Sequence, residues 1–140
     1  LQLKPPEKDW VLNETMIEFY SAMEKILKDQ GLENCLETMN EQIYKKRKPL
    51  DQYIAKIESH GFKIESVTQD KFEYEFVDGT SMLNHYFIRL AFIDGWKNII
   101  PADKQKNIFK LIEQELNQRS EKTGSMKLSV PFVVINSIRN

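Results

Sequence analysis

The sequence predicts an α+β chain of about five helices and two long strands, with helices first, a strand, more helices and a closing strand. Three observations carry this. Through the first 60 or so positions, apolar residues recur at three- and four-residue steps, the helical period. The period then drops to two: Phe72, Tyr74 and Phe76 alternate with Glu73 and Glu75, as in a strand with one dry face. Near the end, Phe132-Val133-Val134-Ile135 is apolar on both faces, as in an interior strand.

Residues 1–12 read as an extended lead-in, because Pro5-Pro6 opposes helix. Helices fill 13–61. Asn13 is the expected N-cap of the first, Met16, Tyr20, Met23 and Leu27 its buried stripe, and Gly31 its end. Leu32, Leu36, Met39 and Ile43 give the second, and the basic run 45–48 breaks the pattern. Pro49 opens a third helix with Leu50, Tyr53, Ile54 and Ile57 on its buried side, and Gly61 closes it.

A strand over 62–78 follows, and Asp78-Gly79 is a turn in which Gly79 supplies unusual backbone angles. A helical insertion over 80–122 starts with Thr80 or Ser81 as cap. Its first helix is apolar over much of its surface, from Met82 and Leu83 through Tyr86, Phe87 and Leu90 to Trp96, so it is buried or roofs a cavity. Pro101 ends it and helps start a fifth helix carrying Ile108, Leu111, Ile112 and Leu116. The last strand is 126–138, where Pro131 predicts a bulge or a local edge. The whole reads as one domain, 1–140.

Of the 140 residues 41% are hydrophobic and 29% charged, enough for both a core and a wet surface. With 20 basic and 21 acidic residues the net charge is −1, which argues against a nucleic-acid partner. No apolar run approaches the roughly 20 residues of a membrane span. Cys35 stands alone, so neither a disulfide nor a thiolate metal site is expected. With no secretory signal either, a reducing cytoplasm is the expected compartment. Position 1 is Leu rather than Met, so the chain is expected to be processed, truncated or renumbered, and a piece of a longer chain is one of these readings. Two strands make a poor sheet, and a doubly apolar final strand expects neighbours that these residues do not supply.

Two stretches resemble class I S-adenosylmethionine-dependent methyltransferases of the small-molecule type. One is Phe76-Val77-Asp78-Gly79-Thr80-Ser81-Met82-Leu83-Asn84-His85-Tyr86-Phe87-Ile88-Arg89, continuing to Phe92-Ile93-Asp94-Gly95-Trp96-Lys97. The other is Leu128-Ser129-Val130-Pro131-Phe132-Val133-Val134-Ile135. The step His60-Gly61-Phe62 resembles the family's entrance to its last two strands, an antiparallel pair that finishes a larger Rossmann-like sheet. The resemblance covers about 13–138 and implies the C-terminal, substrate and cap part of such an enzyme. The family's cofactor turn needs clustered glycines, and Gly31, Gly61, Gly79, Gly95 and Gly124 stand far apart. The resemblance therefore implies that S-adenosylmethionine belongs to an N-terminal half of the same protein and is not bound by this chain alone. The implied partners are that half and a small-molecule acceptor.

Candidate substrate contacts follow. On one continuous helix His85 and Arg89 would share a face, with His85 as a base and Arg89 holding an anionic group. Trp10, Tyr20 and Trp96 offer flat faces for stacking, although such aromatics are more often core. Asn84 either positions a polar substrate atom or bonds local backbone. The run 45–48 reads as a solvated face after a helix rather than a phosphate site. The competing reading is a stand-alone α+β binding or interaction module without catalysis, whose open strand edges pair with a second copy as a homodimer.

Overall fold

A computed structural model describes residues 12–140. Trp10 and the rest of the lead-in up to residue 11 lie outside the described residues. The architecture is α+β, with one two-stranded antiparallel sheet. A short 3-10 turn, Leu12–Glu14, leads into α1 (Ile17–Asp29), α2 (Glu33–Lys46) and α3 (Leu50–Ser59). The strand β1 (Phe62–Phe76) follows, then α4 (Gly79–Asn84), α5 (Tyr86–Ala91), α6 (Ile93–Lys97) and α7 (Gln105–Thr123), and finally β2 (Met126–Arg139).

The stripe read for α1 is core: Met16, Tyr20, Met23 and Leu27 are all buried. It packs with Ile108, Ile112 and Leu116 of α7, with Met82, Ile88 and Trp96 from the short helices, and with Met126 and Leu128 of β2. Gly31 ends α1 in the left-handed region at φ 70°. The stripe of α3 is different. Leu50, Tyr53, Ile54 and Ile57 are half-buried, because α3 covers a groove along the ribbon rather than entering the core.

Several local expectations give way. The cap of α1 is Met16, not Asn13; Met16 holds φ 57°, costly for a residue with a Cβ, and its N–H donates to the Ser129 carbonyl at 2.7 Å. A tertiary contact thus replaces a local cap. The cap of α4 is Asp78, not Thr80 or Ser81: its carboxylate accepts the Ser81 N–H at 2.7 Å. Gly79 is needed for closeness rather than for its angles. A Cβ there would lie 2.5 Å from the Leu116 Cβ, so α4 and α7 touch only because the side chain is missing.

The apolar stretch read as one fourth helix is three short ones. His85 is extended (φ −64°, ψ 136°) and breaks α4 from α5. Phe92 separates α5 from α6. The strands pair without interruption at Pro131, which faces Lys71; the irregularity lies between Ile64 and Ser66 instead. Ser129 turns its N–H and C=O outward, to Glu18 and Met16. Pro131, two residues on, faces the same way, so the donor it lacks was never part of the ladder.

Candidate functional site

Two of the aromatic candidates, Tyr20 and Trp96, lie in the core. Trp96 stacks on Phe19 with ring centroids 3.7 Å apart, and its indole N–H donates to the Tyr20 hydroxyl at 3.1 Å. Two residues 76 positions apart thus meet inside the core. The polar candidates lie on the outside of the insertion. Asn84 donates to the Thr80 carbonyl at 2.9 Å, the local backbone bond. His85 Nδ1 accepts the Phe87 N–H at 3.2 Å and so caps α5, while its ring meets Phe76 edge-on at 5.3 Å. Arg89 is exposed on α5, and its N–H bonds the His85 carbonyl. His85 is thus the N-cap of α5, one turn before Arg89, rather than a residue inside a single long helix. Of the predicted set, Tyr20 alone lines one of the clefts named here, between α1 and α2.

A cleft of about 560 Å³ lies between α1, α7 and the core end of the ribbon. Ile17, Leu116 and Met126 form its apolar part, and Glu18 and Arg119 stand in it. The Glu18 carboxylate accepts the Ser129 N–H at 2.9 Å and also the Ser129 hydroxyl. Arg119 donates to Glu115 and to the Ser21 hydroxyl, each at 3.1 Å. These charges are spent on joining α1 to β2 and α7. Glu18 was not among the sequence candidates; an acidic first turn was its only signal.

A second cleft, about 460 Å³, runs beside β2 where α2 gives way to α3. Its walls include Tyr53, Ile57, Pro131, Val133 and Ile135, and among the described residues its charged lining is Lys46 and Arg47, with no carboxylate. The basic run is therefore not all solvated face: Arg47 turns inward, and its Nη1 is buried with no hydrogen-bond partner among the described residues. Gln69, cross-strand from Val133, has a buried Oε1 in the same condition.

No protein-family model matches this chain, and no curated protein matches it. Among the described residues no group of His, Cys, Asp or Glu is placed to hold a metal ion, and no helix is long and apolar enough to cross a membrane. The glycines do not form a cofactor turn. Gly31, Gly61 and Gly124, the ones with positive φ, each follow a helix rather than a strand.

Proposed function

We propose that this chain is the C-terminal, substrate-facing part of a class I S-adenosylmethionine-dependent methyltransferase acting on a small-molecule acceptor. The cofactor would be held by an upstream half of the same protein, since the residues here do not fit it. The observation that carries this reading is the difference between the two strands. β1 has charges at Lys63, Glu65, Asp70, Lys71, Glu73 and Glu75, and Asp70 takes the Lys71 N–H at 2.8 Å. That is how the rim of a sheet is protected. β2 has no charge between Lys127 and Arg139 and is apolar on both faces from Val130 to Ile135. That is the composition of a strand inside a sheet.

β1 is suited to end a sheet and β2 to join one. Without the upstream half, the open edge is available to a second copy, the homodimer named above. Asn84, His85 and Arg89 are the exposed polar groups this reading offers to the acceptor. The single, buried Cys35 fits a reducing compartment.

The test is the coding sequence immediately upstream, followed by calorimetry with S-adenosylmethionine. The expected result is an α/β segment with a glycine-rich turn, binding by the longer protein and none by these 140 residues. A gene that encodes nothing upstream, or tight binding by the 140-residue chain, overturns the reading.

A further inference from the structure

We propose that the cleft beside β2 receives a segment of the upstream half that carries an acidic side chain, and that this carboxylate pairs with Arg47 to fasten the two halves. This rests on the methyltransferase reading for the existence of that half; the pairing itself comes from the cleft.

The outward groups of β2 follow from its pairing. Ser129 directs N–H and C=O away from β1, so Val133 and Ile135, two and three pairs further along the same set, do likewise. The 3-10 turn and the start of α1 cover the edge at Ser129. Beyond it, no described residue bonds the outward backbone of Val133 or Ile135. An extended segment laid there gains main-chain hydrogen bonds and apolar walls from Ile57, Val133 and Ile135.

Charge selects the side chain. Among the described residues the cleft is lined by two cations and no carboxylate, and one guanidinium nitrogen is buried without an acceptor. A buried cation with nothing to bond is unfavourable, and a carboxylate meets the planar guanidinium through two parallel bonds. The buried Oε1 of Gln69 supplies an acceptor nearby on the same face of the ribbon, matched to a backbone or side-chain N–H of the incoming segment.

The experiment compares Arg47→Met in two proteins by thermal unfolding. In the 140-residue chain the substitution removes a half-buried guanidinium whose Nη1 has no acceptor among the described residues, and it should raise the melting temperature. In the longer protein it breaks the pair and should lower it, by roughly 3 °C or more. Arg47→Lys, which keeps the charge, should recover part of that loss, and Lys45→Met, at an exposed position, should change neither protein.

A longer protein that binds S-adenosylmethionine but shifts in the same direction as the short chain overturns the pairing and leaves the methyltransferase reading standing. A longer protein that does not bind it fails that reading instead. If added phosphate or acetate stabilises the longer protein and Arg47→Met abolishes the effect, the cleft serves a free anion and the proposal is wrong.

Discussion

Leu128 and Val134 are on the same strand and the same face, six residues apart, yet Leu128 is 0% exposed and Val134 46%. At the core end of the ribbon that face meets α4 to α7. Tyr74 touches Phe87 at 5.7 Å, Phe87 touches Phe92 at 5.5 Å, and Phe92 stacks toward Trp96 at 5.7 Å. Toward the far end the aromatic chain runs out through Phe72 to Phe132 at 6.0 Å, and Phe72 is already exposed. One half of the ribbon is part of a core. The other half has a core's composition without its covering. Apolar character in a strand reports what the strand is made to meet, not what meets it in a given chain.

The comparison predicts unequal costs for equal chemistry. Leu128→Ala should lose about 2–5 kcal/mol in urea unfolding, as a buried side chain deleted from a packed core. A loss below 1 kcal/mol would mean the core end is no better packed than the far end. Next is Gly79→Ala, where the new methyl collides with the Leu116 Cβ; overpacking of this kind should cost about 1–3 kcal/mol, and an unchanged midpoint would show that α4 and α7 separate easily.

Glu18→Ala, which leaves the Ser129 N–H without its acceptor, should cost roughly 1–3 kcal/mol, with hydrogen exchange at Ser129 speeding up. At the far end, Val134→Lys should alter stability by no more than about 0.5 kcal/mol. It should instead suppress self-association in sedimentation velocity, and a chain that stays monomeric before and after the change would remove the far end as an adhesive surface.

The smallest effect concerns pH. Bonds from the Ser81 N–H, and then from its hydroxyl, hold the Asp78 carboxyl below the usual carboxylate range. A depressed folded-state value means the stabilisation is complete above the ordinary pKa and fades as pH falls through the lowered one. Unfolding midpoints between pH 6 and pH 3 should therefore fall more for the parent chain than for Asp78→Asn; parallel curves would remove the cap from the account.

Much of the fold could be read from spacing alone, because a helical stripe and a strand alternation are local patterns. Met16, Tyr20, Met23 and Leu27 needed no knowledge of their partners to be recognised as one buried face. What could not be read was decided by residues far away in sequence. Nothing near Met16 announces that Ser129 will take its N–H, and nothing near Gly79 announces Leu116. The break at His85 was hidden for another reason: the apolar residues continue across it, and periodicity is blind to a single extended residue. Of the candidate contacts, Tyr20 and Trp96 bond each other in the core. Arg47 was passed over because a basic run after a helix usually points to water.

The bond from Met16 to Ser129 has a consequence for how the molecule is made. The first long helix is seated by a residue 113 positions later, on the last strand of the chain. During synthesis α1 emerges long before Ser129 and waits, its contacts incomplete, until the chain has been made as far as β2. Closing so wide a loop is slow. Truncation just before Ser129 would therefore cost more than a strand, since it would also take away the residue that holds the start of α1.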